Sequence, residues 1–368
     1  MKRHVLSLLI ALVGTVSLAN LARADIRIDD IRGNAVTLKA PADRIAVDDG
    51  RTILAMSFLS DDPVGLVAAW PHDVDRMGRE IYNVYRRKFP AIETLPRLAS
   101  NAQDTNVEQI LAVNPDVVFL SAFSHVSQAQ IDQIKDAGIA VIFIDFQNDP
   151  LKDTDRSLEI IGKAIGRDEA AERIVSLRQN ARKAIEAKLD EAKKSAPADG
   201  AAKPVVLVEP HASTQDPCCN SPGEAGVGTF LSLIGVDNVG HVIGKKPAGK
   251  LGLEYLITAK PTVYIATGGT YMKDRGGLLV GPDFDQAQTK ASLSALVERT
   301  GFSALDFKPD QVHGLSQQLF NSPLDILALE LFAKWSRPQL FSDLDPDKTL
   351  QEMNRMMAVP LEGRYWTR

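Results

Sequence analysis

The chain's two cysteines, Cys218 and Cys219, stand side by side in STQDPCCNSPGE (213–224). Two free thiols do not persist in an oxidising compartment. Adjacent Cα atoms lie ~3.8 Å apart across a trans peptide, below the ~4.4–6.8 Å usual for a disulfide. A bond between them closes an eight-membered ring and twists the peptide it spans. We expect a Cys218–Cys219 disulfide forming a rigid, apolar knuckle against a ligand. A soft-metal site, an intermolecular bridge and a reduced pair stay open as alternatives. Three histidines, His72, His125 and His211, each follow an expected strand. Converging imidazoles with one carboxylate would bind bare Zn²⁺ or Mn²⁺; ordinary hydrogen-bonded loop histidines are the other reading. The chain has no P-loop, G-x-S-x-G or H-E-x-x-H motif, and we expect no enzyme, no catalytic residues and no cofactor.

The compartment follows from the N-terminus. Lys2 and Arg3 precede the mostly apolar run Val5–Ala19, and Ala22-Arg23-Ala24 is a small-x-small cleavage signal. This pattern reads as a signal peptide cut after Ala24, and so as export to a periplasm. Cleavage leaves 344 residues and takes the formal charge from −5 to −8. An acidic surface argues against nucleic acid as a partner. The length suits about two domains.

Those chemical groups need a frame. Apolar residues recur at Ala170, Ile174, Leu177, Ala181, Ile185 and Leu189, the spacing of one helix from Arg167 to about Ser195. Asp168 and Glu169 open it and Lys193 and Lys194 close it, matching the helix dipole. APADGAAKP (196–204) then breaks the chain. On both sides of this rod, short apolar strands alternate with helices: RIAVDD, PVGLVAAW, DVVFLSAF and AVIFIDF before it, VVLVEP, TVYIATGG and VHGLSQ after it. Near-continuous apolar strands mean mostly parallel sheets covered on both faces. The fold class is therefore α/β: two α/β sandwich lobes joined by one long backbone helix. The expected divisions are a signal peptide (1–24), an N-terminal lobe (25–150), a helical connector (151–196) and a C-terminal lobe (197–368). VEQILAVNPDVVFL (107–120) and LEYLITAKPTVYIA (253–266) form an internal repeat, with Glu108 and Glu254 each seven residues before a proline.

The repeat unit resembles that of periplasmic binding proteins for iron–siderophores, haem and cobalamin, the receptors of ABC importers. GRDEAAERI, GTFLSLIGVDNVG (228–240) and the tail FNSPLDILALELFAKWSRPQLFSDLDP (320–346) extend the resemblance over nearly all of the exported chain. The tail and DDGRTILAM (48–56) are most similar to an iron-complex subgroup. The resemblance implies a receptor that delivers an iron chelate, foremost a ferric siderophore, to an inner-membrane permease; the stiff rod predicts modest lobe motion, and a monomer is the default expectation. Haem, cobalamin or a bare metal ion on the three histidines is the alternative cargo. Glu108 and Glu254 match the acidic residues that dock such receptors to basic permease pockets; solvated helix glutamates are the other reading.

Ligands of open α/β proteins bind beyond the carboxyl ends of the strands. Loops there carry Arg51, Trp70, His72, Ser124, His125, His211, Tyr271, Arg275, Gln318, Phe320 and Asn321. With Cys218 and Cys219 these are the expected ligand contacts. Trp70 would be a flat platform, and Arg51 a fork for an anionic chelate.

Overall fold

The computed structural model describes residues 25–195, 203–216 and 218–367. The signal-peptide segment and most of the 196–204 break lie outside the described residues. In the first lobe, Ile45–Val47, Val67–Ala69, Val117–Ser121 and Ala140–Ile144 form one parallel sheet. Val67–Ala69 is at one edge, then Ile45–Val47, Val117–Ser121 and Ala140–Ile144. In the second lobe, Val312–Ser316, Val263–Gly268, Val205–Glu209 and Asp237–Asn238 pair in that order, again all parallel. The central strands Val117–Ser121 and Val263–Gly268 are buried at every position, because helices cover both faces.

Successive residues of these strands feed different cores. Val117 and Phe119 join a large cluster that also holds Val206 and Val208 of the other lobe, whereas Val118 and Leu120 join a separate cluster behind the first sheet. Leu207 and Tyr264 do the same behind the second sheet. The period-two alternation of a strand therefore splits each sheet between a shared core and a private one. The shared core includes Ile174, Val175, Ile185 and Leu189 of the helix Asp168–Ser195. That 28-residue helix spans about 42 Å at ~1.5 Å per residue.

The internal repeat is one structural unit made twice. Val107–Val113 and Leu253–Ala259 are seven-residue helices, each stopped by a left-handed residue, Asn114 at φ 43° and Lys260 at φ 51°. Pro115 and Pro261 follow, and then the two central strands. In such crossovers the helix starts at the carboxyl edge of the sheet, so Glu108 and Glu254, both exposed and in the first turn, stand on the rims of the two lobes. An antiparallel hairpin, Ile26–Asp29 with Ala35–Leu38, is an addition the strand pattern did not announce.

One buried cation ties these parts. Arg178, on the long helix, donates Nε to Asp155 Oδ1 at 2.6 Å and Nη1 to Asp325 Oδ1 and to the carbonyl of Pro323, both at 2.6 Å. Its side chain is 5% exposed. Removing the cation leaves two buried carboxylates facing each other. Arg178→Met should therefore lower unfolding stability by roughly 3–5 kcal/mol in urea titrations. Replacing Asp155 and Asp325 as well with apolar residues should recover most of that loss.

Candidate functional site

Between the lobes lies a cavity of about 450 Å³. Its first wall comes from loops at the carboxyl ends of the first sheet. Asp48 and Asp49 end the strand Ile45–Val47 and are both buried. Asp48 accepts from the Ser121 amide at 3.0 Å, from Ser121 Oγ at 3.0 Å and from Ser124 Oγ. Asp49 accepts from Arg51 Nε at 2.9 Å and Nη2 at 2.5 Å, from Asn101 Nδ2 at 2.8 Å and from Arg76 Nη1 at 3.3 Å. Asp73 accepts the Gly50 amide at 3.0 Å on one oxygen, while the other is buried without a hydrogen-bond donor among the described residues.

Three carboxylates crowd this floor, and their surroundings drive them apart. Burial lifts Asp48 to about 6, against the hydrogen bonds it accepts. Burial also lifts Asp73 to about 7, with Asp49 adding to the rise and Arg51 and Arg76 opposing it. At Asp49 burial is overcome by Arg51 and then Arg76, which hold it down to about 2. The floor thus keeps one firmly ionised carboxylate between two guanidinium groups.

The second wall belongs to the other lobe. His211 follows the strand Val205–Glu209 in a left-handed conformation, φ 57°, and Thr267 Oγ1 accepts its amide at 3.0 Å. Its Nδ1 lies 2.6 Å from Tyr271 Oη. Burial and then Arg275 lower the His211 pKa, which favours the neutral imidazole. Burial raises Tyr271. Gln318 closes the back of the cavity: its Oε1 accepts from Ser316 Oγ at 2.8 Å and its Nε2 donates to the Asp75 carbonyl at 3.2 Å, a direct bond between the two walls. Gly78 permits this approach. It sits at φ +94°, and a Cβ there would lie 2.7 Å from Gln318 Cγ.

Arg51, His125, His211, Tyr271, Gln318, Phe320 and Asn321 all line this cavity. Six other expected contacts do not. Trp70 is fully buried in the shared core, with Nε1 donating to the Ile92 carbonyl at 3.2 Å, so it offers no open platform. An indole ending a strand is drawn inward by its large apolar area. His72 stacks on Trp70 at 4.6 Å and spends Nε2 on the Leu95 carbonyl at 2.8 Å. Ser124 supports Asp48 from below. Arg275 pairs with Asp216 at 2.5 Å.

The cysteines are joined to each other across a cis peptide bond. Cys219 is buried in the private core of the second lobe, exchanging backbone hydrogen bonds with Leu251, and Cys218 packs beside it. They touch Arg299, not the cleft: Arg299 Nη2 lies 3.4 Å from Cys219 Sγ and 2.7 Å from Glu209 Oε2. The expected knuckle against a ligand is therefore a piece of lobe packing. Nor do the three histidines converge. Among the described residues only Glu209, Cys218 and Cys219 bring three potential metal-ligand atoms within 4.8 Å of one another. Arg51 is also less available than its position suggests, because its fork is taken by Asp49 and its side chain is 13% exposed.

Sequence reasoning passed over Arg76, Asn101, Asp75 and Gln147, which with Ala102, Phe123 and Gln317 complete the lining. Arg76 lies on the short helix Val74–Met77 and Asn101 in the loop before Val107. Treating the whole 71–106 connection as cleft-facing, rather than only the residues directly after the strand, would have found both.

A family model described as periplasmic binding protein matches residues 57–307. The chain belongs to this family. Periplasmic binding proteins are solute-binding proteins of transport systems, and the groove between two parallel-sheet lobes is the family's frame. The chain matches none of the curated proteins in sequence. Among solved structures it is similar to the TroA-like periplasmic binding protein FepB from Veillonella parvula, with TM-score 0.80, 24% identity and coverage of 93% of this chain and 99% of that one. It is also similar to the molybdate periplasmic binding protein MolA of Haemophilus influenzae, with TM-score 0.64, 17% identity and coverage of 92% and 99%. A periplasmic heme binding protein from Pseudomonas aeruginosa matches with TM-score 0.53, 15% identity and coverage of 89% and 99%.

The floor makes a prediction about pH for this periplasmic binding protein. The folded protein holds the Asp73 proton up to about pH 7, and the unfolded chain only to its ordinary 3.8. That contribution to stability is full below the lower value and drains away as pH rises toward the upper one. Asp49 runs the opposite way and loses its contribution as pH falls toward about 2. Asp73→Asn should reduce the fall in melting temperature between about pH 4 and 7. An unchanged slope would place that proton elsewhere.

Proposed function

We propose that this periplasmic binding protein captures an iron chelate, foremost a ferric siderophore, between its lobes and delivers it as a monomer to an inner-membrane ABC permease. One observation carries the reading: Arg51 and Arg76 on one wall face a cavity whose other wall presents the paired His211 and Tyr271. The Arg76 guanidinium, 34% exposed beside the Asp49-bound Arg51, suits the anionic periphery of a chelate. The imidazole and phenol are two donors that suit iron. The volume is within the ~300–1,000 Å³ of small-molecule sites. Relatives named for molybdate and for heme share the fold, so cavity chemistry has to select the cargo. The His211–Tyr271 pair also favours haem as a second reading, since both residue types serve as axial ligands.

Protein purified from iron-limited cells of the source, examined by native mass spectrometry and visible absorbance, separates these readings. A broad charge-transfer band with a matching chelate mass supports the siderophore, and a Soret band supports haem. A colourless protein carrying no iron would overturn both. Tyr271→Phe and Arg76→Ala should each weaken binding of the identified chelate by about tenfold or more, the worth of one charge-assisted or metal-directed contact.

Glu108 and Glu254 are the proposed permease contacts. Two exposed carboxylates on the two rims can set orientation and on-rate against basic pockets. The double charge reversal Glu108→Lys, Glu254→Lys should abolish import into cells and leave chelate affinity in solution unchanged. Weakened affinity in that variant would remove the docking role.

A further inference from the structure

A second cavity, about 780 Å³, lies apart from the cleft. It lies between the long helix Asp168–Ser195, the helix Asp325–Ser336 and the C-terminal helix Pro346–Asn354. Six carboxylates and only two cationic side chains line it. Acidity alone would not make a site, since exposed carboxylates are ordinary on an acidic surface. Glu330 is different. It is 4% exposed in the mostly apolar middle of its helix and lines this cavity. Thr349 Oγ1 donates to its Oε1 at 2.9 Å, and its Oε2 is buried with no donor among the described residues. The neighbouring Lys334 is no partner, because its Nζ is directed to the Leu344 carbonyl at 2.5 Å. A buried carboxylate oxygen without a donor costs stability unless something donates to it.

The donor has a recognisable chemistry. A compact metal ion needs several oxygens gathered around one point. Among the described residues the carboxylates of this cavity do not bring three ligand atoms within 4.8 Å of one another. They are spread along the walls, with Asp345 and Glu352 near the C-terminal helix and Glu169 and Glu172 on the long helix. Leu177, Ala181, Leu344 and Met356 supply apolar surface between them. Separated anions with aliphatic surface in between match a chain of methylenes carrying ammonium groups at intervals.

We propose that this cavity binds a linear aliphatic polyamine, one ammonium group donating to Glu330 Oε2 and the others meeting carboxylates of the walls. The site is independent of the cargo cleft and of its proposed ligand. Burial lifts the Glu330 carboxyl to about 7, with Thr349 opposing, Asp345 and Glu352 adding to the rise and Lys334 opposing it. An ammonium group arriving at Oε2 favours the carboxylate, so binding near neutral pH releases a proton.

Spermidine is the probe, titrated calorimetrically into the full exported chain at low salt and near neutral pH in two buffers of different ionisation enthalpy. The expected result is saturable binding with proton release. Glu330→Gln should weaken it by about tenfold or more, the value of one hydrogen bond to a charged group, and should abolish the proton release. Ala181→Phe, which fills the cavity without changing charge, should also remove binding while the melting temperature shows a folded protein. Wild-type affinity in either folded variant overturns the proposal. Complete displacement of spermidine by magnesium chloride at equal charge concentration also overturns it, because that would be screening of an acidic surface.

Discussion

The guanidinium of Arg178 joins three distant stretches of chain: its own long helix, Asp155 on the preceding connector helix Asp153–Ala164, and Asp325 just beyond the cleft loop of the second lobe. Thr154 Oγ1 reinforces the far end by donating to Asp325 at 2.8 Å. The loop at the back of the cleft is registered through this clamp. Gln317, Gln318, Phe320 and Asn321 sit within a few residues of Asp325, so the back of the cavity is tied to the rod. Apolar contact alone would hold the lobes together without choosing an angle between them. A buried ion pair has strict geometry, and it is costly to break because neither partner finds water.

Around that clamp the shared core makes the two lobes mechanically one. Side chains from both sheets and from the long helix belong to a single cluster. The Gln318–Asp75 bond then crosses directly between the walls. Such a frame favours small adjustments at the cleft over a wide hinge motion. The polar floor adds stiffness of another kind. Arg51, Arg76 and Asn101 all converge on Asp49, so moving any one of them disturbs a buried charge. The cavity is preorganised, and preorganisation is what lets a modest surface hold a ligand.

The disulfide has a role in this architecture that is separate from the cleft. It lies against Arg299, whose Nη2 also meets Glu209, which in turn accepts from Tyr264 Oη at 2.5 Å. Arg299 Nη1 donates to the Ser213 carbonyl at 3.1 Å, in the loop that begins with His211. The cysteine loop therefore packs one end of the second lobe, and through Arg299 it backs the wall that carries His211 and Tyr271.

Sequence by itself determined the periodic parts: the long helix, the seven main strands and the repeated helix–proline–strand unit. Period and punctuation are local properties, and each was written in a short window of residues. Tertiary structure alone decided which loop side chains reach the cavity. Trp70 and His72 leave a strand end as His211 does, yet the first turns into the core, the second stacks on it, and the third turns out. Arg51 is in the right place but is neutralised by Asp49, and Arg76 enters from a helix outside the strand pattern. Whether a side chain faces ligand or core depends on what packs against it from elements far away in the chain. No local window contains that information.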